Sequence, residues 1–279
     1  MTTDAGVTIG STLLAIRDDV ETAVKLNRDL GFQAMEVHGS HLGAGFPNVP
    51  VLEAHAAATG QLIRDQGLIV STLNVAGDPS FQPYGNRDDR QATIDGLARH
   101  MRWAHAMGAP RVLFWDGIVD DPSEIGSACE TLADVINAAR DKSGLSTPPE
   151  LTCELHPFTF ALTHRAIEDL GASLVAAGAG ICFDFAHFGV ALKEDLTSLL
   201  TPEVIAATNL LHYSDTDFVS SEVHFPPTEG KVDFDEIGRL YKNRNIPVAW
   251  DLFSWPAPRH AVGTHMQHYE RFVGLVCNQ

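Results

Sequence analysis

No stretch of the 279-residue chain approaches the roughly 18 consecutive apolar residues that a membrane span needs. The start, Met1-Thr2-Thr3-Asp4-Ala5-Gly6, has no basic segment leading into an apolar run. A cytoplasmic protein that keeps clear of membranes is therefore expected. Positive charge is scarce: 19 Lys and Arg stand against 36 Asp and Glu, a formal net charge of −17. Such a surface repels a phosphate backbone, which argues against nucleic acid as a partner. The four cysteines, Cys129, Cys153, Cys182 and Cys277, form no CxxC pair. Two of them lie inside apolar runs where Cys acts as a small core residue, so neither disulfides nor a zinc-thiolate site are expected. A dinucleotide fingerprint is missing as well, since Ile9-Gly10-Ser11-Thr12-Leu13 has no GxGxxG. No Pro/Gly/Ser-rich linker divides the chain, and 44% hydrophobic content fills one large core, so residues 1–279 are expected to form a single domain.

What the chain does contain is alternation. Short apolar runs at Val7–Gly10, Ala34–His38, Ile69–Asn74, Arg111–Trp115, Leu151–Glu154, Gly180–Asp184, Asn209–His212 and Pro247–Leu252 have strand character. Between them, Arg17–Leu30, Leu52–Gln66, Arg90–Met107, Pro122–Lys142, Thr163–Ala177, Phe234–Asn243 and His260–Val276 place apolar residues at helical spacing. Gly31, Gly67 and Gly108 follow three of these stretches as helix stops. Eight strand-helix units in this length predict an α/β fold, a (β/α)8 TIM barrel, whose functional side chains gather at the carboxyl ends of its strands.

Four metal-type ligands stand at such ends: Glu154, Asp184, His212 and Asp251, separated by 30, 28 and 39 residues. Each interval is about one strand-helix unit, so consecutive strands of a closed barrel aim all four at one point. Carboxylates ending apolar strands are otherwise costly half-buried charges. Three carboxylates and one imidazole form a hard donor set suited to one divalent cation, Mn²⁺ first, with Mg²⁺, Co²⁺ or Zn²⁺ as alternatives. Other strand ends carry Glu36 and His38, Asn74, and Trp115 with Asp116. His156 follows Glu154 by two residues and shares its face if the strand continues. Neutral histidine moves protons near pH 7, which makes His156 and His38 candidates for proton transfer. Trp115 is a candidate for stacking on a sugar ring. The segment Asp78–Asp89 is long enough to cover the site.

Several of these segments resemble the xylose-isomerase-like barrels, a family that includes sugar isomerases and epimerases, inosose dehydratases and abasic-site endonucleases. Cys182-Phe183-Asp184-Phe185-Ala186-His187 resembles the family's C-x-D-x-x-H strand, and Leu211-His212-Tyr213-Ser214-Asp215 its H-x-x-D segment. The stretch from His224 to Asp233 is similar to its H-x-P-x-G-x-G-x-(I/V)-D loop. The resemblance implies that Glu154, Asp184, His212 and Asp251 hold the metal and that His187 and His224 touch substrate. Glu36, His38 and Trp115, by their places at other strand ends, are further candidates for substrate contact. It also implies two metal-bound glutamates exchanging protons across the substrate. Glu154 matches the first, but the second position is Asp251, one methylene or about 1.5 Å shorter. That departure weakens a symmetric two-base epimerase and brings forward an elimination.

The expected function is a metal-dependent isomerase or epimerase acting on a small polyhydroxylated keto compound, with Glu154, His156 and Asp251 as catalytic groups. The alternative is a lyase on the same scaffold, an inosose-type dehydratase or the catalytic subunit of a C-glycoside deglycosidase, which would bring a small second subunit. A homo-oligomer is expected, because barrels of the family often pair near the sequence end, where Trp255-Pro256-Ala257-Pro258 has the look of a projecting segment.

Overall fold

A computed structural model describes residues 4–15, 18–42, 53–75, 81–84, 86–117, 124–156, 164–192, 196–220, 223–253 and 255–277. Eight strands, β1 (Ile9–Ser11), β2 (Ala34–His38), β3 (Ile69–Asn74), β4 (Arg111–Trp115), β5 (Glu150–Glu154), β6 (Ala179–Asp184), β7 (Thr208–Tyr213) and β8 (Val248–Trp250), pair in chain order. All are parallel, and β8 returns to β1 to close the barrel. The helices among the described residues are α1 (Val20–Asp29), α2 (Glu53–Asp65), α3 (Arg87–Met107), α4 (Ile125–Ser143), α5 (His164–Ala176), α6 (Phe185–Leu192), α7 (Pro202–Ala207), α8 (Phe234–Leu240) and α9 (Pro258–Cys277).

Local chemistry explains the boundaries. Asn86 opens α3 with a capping box, its side chain accepting from the Asp88 and Asp89 amides while Asp89 accepts from the Asn86 amide. Gly108 closes α3 at φ +83, where a Cβ would be strained, and so turns the chain into β4. β5, β6 and β7 run a residue beyond the expected limits at one or both ends, whereas β8 is shorter and ends at Trp250, leaving Asp251 one residue past the strand. Two helices lie outside the expected set. α6 is apolar on nearly every side and so shows no helical contrast, and α7 is only six residues long, although Thr201 caps it and Pro202 sits in its first turn.

The period of two along each strand sets the site. Ile9, Ala34, Leu113, Cys182, Leu210 and Ala249 pack together as a fully buried apolar layer within the barrel. Two residues further along stand Glu36, Trp115, Asp184 and His212 on their strands and Asp251 just past the end of β8. The barrel thus offers a hydrophobic floor and, one step above it, a polar ring. At the opposite end, buried Arg111 pairs with Asp4 at 2.9 Å, Asp4 also accepts from Ser71 at 2.6 Å, and Arg111 reaches Glu150 at 3.4 Å. The larger core lies between the strands and the surrounding helices. No helix among the described residues is long and apolar enough to cross a membrane.

Candidate metal centre

Glu154, Asp184, His212 and Asp251 each offer one ligand atom, and these atoms all lie within 4.8 Å of one another. Donors about 2.1 Å from a common cation are separated by about 3–4.2 Å, so the cluster has the dimensions of a single coordination sphere.

Each side chain reaches that point because a second contact orients it. Asp184 ends β6 and opens α6: its Oδ1 accepts from the amides of Ala186 at 2.8 Å and His187 at 3.0 Å. Its Oδ2 is buried without a hydrogen-bond partner and turns inward. Asp251 repeats the device, with Oδ1 accepting from the Phe253 amide at 3.1 Å. His212 presents Nε2 to Glu36 Oε2 at 3.3 Å, and Glu36 Oε1 accepts from Asn74 at 2.8 Å. That leaves His212 Nδ1 facing Glu154 Oε1 at 2.7 Å and Oδ2 of both Asp184 and Asp251 at 3.4 Å. None of these approaches has hydrogen-bond alignment. Three carboxylate oxygens and an imidazole nitrogen converging without mutual hydrogen bonds fit a bound cation, and the donor chemistry fits a divalent one.

The electrostatics agree. Burial opposes a charged His212, yet the carboxylates of Glu36, Glu154 and Asp184 outweigh it and hold the imidazole well above its ordinary range. Burial likewise opposes the anionic forms of Asp184 and Asp251, but His224 and the other imidazoles hold both well below the usual carboxylate range. Glu154 is also lowered against its burial, chiefly by His212.

Around this centre lie further histidines. His224 Nδ1 is 3.2 Å from Asp251 Oδ2, and its pKa is raised to about 9, Asp184 and Asp251 outweighing burial. The His187 ring stands 5.0 Å from that of His224 and 4.5 Å from that of His156, and burial lowers its pKa. His156 Nε2 is 4.0 Å from Glu154 Oε2. Trp115 meets His156 edge-on at 5.6 Å.

The structure therefore gathers Glu154, His156, Asp184, His187, His212, His224 and Asp251 into one cluster, with Trp115 at its wall. Glu36 lies one layer behind, fully buried against His212. His38 stands apart from the cluster's ligand groups and binds Ser40 through Nδ1 at 2.7 Å. Of the segment Asp78–Asp89, residues 78–80 and 85 lie outside the described residues. Trp255 does not stand alone: its ring packs 5.2 Å from Phe225.

Two carboxylates given no role by the sequence also shape the site. Asp215 is fully buried and accepts from the amides of Thr216, Thr228, Gly230 and Val232 at 2.8–2.9 Å. Its backbone exchanges hydrogen bonds of 2.8 and 2.9 Å with Phe225, which seats the neighbouring His224. A Cβ on Gly230 would stand 2.3 Å from Asp215 Oδ1, so this turn requires glycine. The signal was the Asp and Gly spacing of residues 215–230. Asp116 follows β4 and points to His156 at 3.5 Å; its position beside Trp115 was the signal.

A family model described as xylose isomerase-like TIM barrel matches residues 24–262. No curated protein matches the sequence. Among solved structures, the chain is similar to the IOLI protein with a bound zinc atom, at TM-score 0.75 and 14% identity, covering 96% of this chain and 98% of that one. A D-tagatose 3-epimerase-like protein gives TM-score 0.74 and 14% identity, with coverage of 96% and 98%. The probable 3-DHS dehydratase AsbF from Bacillus anthracis gives 0.71 and 13%, with coverage of 94% and 98%. At these identities the likeness is one of fold.

Proposed function

Because this chain belongs to the xylose isomerase-like TIM barrel family, we propose that it is a divalent-metal-dependent sugar isomerase or epimerase. Its substrate is a small polyhydroxylated carbonyl compound, from which it removes a proton next to the carbonyl. The observation that carries this reading is the convergence of Glu154, Asp184, His212 and Asp251 around one point. Their three carboxylates and one imidazole favour Mn²⁺, with Mg²⁺, Co²⁺ and Zn²⁺ also compatible. A divalent ion held by Glu154, Asp184, His212 and Asp251 would supply Lewis acidity toward the carbonyl oxygen and so lower the cost of removing the neighbouring proton.

The protein's own groups divide the remaining work. Glu154 faces His212 through Oε1 and His156 through Oε2, so one carboxylate serves as ligand and as base. His156 beside it takes or returns the second proton. His187 and His224 hold substrate oxygens, the first as a neutral imidazole that donates and accepts, the second as a donor. Trp115 supplies an apolar wall.

A second reading, a lyase on the same scaffold, is favoured by one detail. Asp251 commits Oδ1 to the Phe253 amide and turns only Oδ2 inward, so it has no spare oxygen to act as an opposite base. Proton chemistry then falls on the Glu154–His156 side, which suits elimination from a keto sugar by a dehydratase or C-glycoside deglycosidase subunit. The probable dehydratase among the similar structures is in keeping with this.

The test is solvent deuterium exchange followed by NMR, with metal-loaded protein and a panel of ketohexoses, keto-inositols and 3-keto glycosides. Deuterium in recovered or epimerised sugar, absent with Glu154→Gln, supports the isomerase or epimerase. Unsaturated or released product selects the lyase. A protein that binds no divalent metal sinks both.

A further inference from the structure

Asp116 is the first residue beyond β4, and its backbone is held on both sides. Its amide donates to the Glu154 carbonyl at 3.1 Å, and its carbonyl accepts from the Tyr84 hydroxyl at 2.6 Å. The side chain is fully buried, and Oδ1 lies 3.5 Å from Nδ1 of His156. The plane of that imidazole is fixed independently. Trp115 meets it edge-on at 89°, and His187 packs against it at 4.5 Å and 40°. Its other nitrogen, Nε2, is turned to Glu154 Oε2 at 4.0 Å.

A neutral imidazole carries one proton, and the group facing one nitrogen decides where the proton sits. Carboxylates, which when ionised only accept hydrogen bonds, face both nitrogens. Asp116 is nearer at 3.5 Å than Glu154 at 4.0 Å, and Glu154 is committed to the metal centre in the reading above, so the proton is drawn to Nδ1 and the lone pair is left on Nε2. Distances of this kind shorten when a substrate fills the site. Consecutive residues at the end of β4 thus address one ring: Trp115 fixes its plane and Asp116 its proton.

We propose that Asp116 is the positioning residue that locks His156 as the Nδ1–H tautomer, presenting a bare Nε2 to the reacting carbon beside Glu154. In the site as read above, Glu154 takes the proton that leaves the substrate carbon and hands it on to Nε2 beside it. The ring then carries a proton on each nitrogen, and its positive charge stands opposite the Asp116 carboxylate. Nε2 returns that proton to the neighbouring carbon in an isomerisation, or to the departing group in an elimination. This consequence rests on the proposed function, whereas the tautomer itself does not.

The experiment is long-range ¹H–¹⁵N correlation NMR of the full-length protein above neutral pH, with and without saturating Mg²⁺. The His156 signals are assigned by their loss in His156→Gln. The expected wild-type pattern is a protonated Nδ1 and a bare Nε2, and Asp116→Ala is expected to move the proton to Nε2. With any substrate found by deuterium exchange, the same variant should lower kcat about 10–100-fold while KM moves little. A wild-type ring protonated on Nε2 overturns the proposal, as does an Asp116→Ala ring that keeps its Nδ1 proton. If Asp116→Ala does not fold, the wild-type tautomer alone decides. Failure to find a substrate leaves the NMR outcome intact, so the two ideas fail separately.

Discussion

Glu36 and His212 stand 3.3 Å apart, both fully buried, with Asn74 holding the far oxygen of the glutamate at 2.8 Å. The pair turns the imidazole so that only Nδ1 faces the carboxylates of Glu154, Asp184 and Asp251. Glu36 therefore orients the nitrogen that faces the candidate metal centre. Glu36→Gln is expected to weaken divalent-metal affinity about 10–100-fold without removing a ligand, as measured by competition with a chelator.

Metal should also stabilise the fold. At a free concentration about 100 times Kd, Mn²⁺ is expected to add about 2.7 kcal/mol to unfolding stability, read as a rise in Tm that a chelator reverses. Asp184→Asn should abolish that rise. An unchanged metal response in this variant would remove Asp184 from the ligand set.

The metal-stripped protein has its own pH signature. The pKa of His224 is raised from 6.5 to about 9, because Asp184 and Asp251 outweigh the effect of burial. A raised folded-state pKa means stabilisation that is complete below about pH 6.5 and is lost as pH climbs through about 9. Chelated protein is thus expected to lose urea resistance across that window. Since His212 is also held protonated without metal, binding should release protons, and affinity should increase with pH. Calorimetry in buffers of different ionisation enthalpy counts those protons directly, and a count of zero would contradict the assigned charge states.

Gly230→Ala places a Cβ 2.3 Å from Asp215 Oδ1 and 2.5 Å from the Thr216 carbonyl. The expected cost is about 1–3 kcal/mol, seen as a lower urea midpoint, together with a loss of exchange activity as the turn behind His224 shifts. Neutral stability would show that the turn relaxes freely.

At the other end of the barrel, Arg111→Ala leaves Asp4 as a buried carboxylate whose remaining side-chain partner among the described residues is Ser71. About 3–5 kcal/mol of destabilisation is expected by urea unfolding, with metal affinity unaltered because the pair lies below the apolar floor.

Much of this was legible in the sequence, because the barrel repeats one rule eight times. An apolar run ending in Glu154, Asp184, His212 or Asp251 signals both a strand and which end of it matters, and all eight strands overlap the apolar runs, although β1 is displaced to Ile9–Ser11 and β8 is cut to Val248–Trp250. What escaped depends on contacts between distant segments. Nothing along the chain tells that Glu36 lies behind His212, 176 residues away, while His38 turns to Ser40. Asp215 looked like part of a motif, but its role as an acceptor for four amides appears only once residues 216–232 fold back on it. α6 was hidden for another reason: Phe185-Ala186-His187-Phe188 follows a buried strand with no change in polarity to mark the transition.

Asp184 ends a strand, starts a helix and turns an oxygen into the candidate metal centre, all through one carboxylate. A change of charge on Oδ2 is felt on Oδ1, and so by the amide hydrogens of Ala186 and His187. Those two protons are a built-in reporter: their chemical shifts and exchange rates register what happens at the centre without any label placed inside it. They also couple the orientation of His187, on the first turn of α6, to the charge state of a neighbouring ligand.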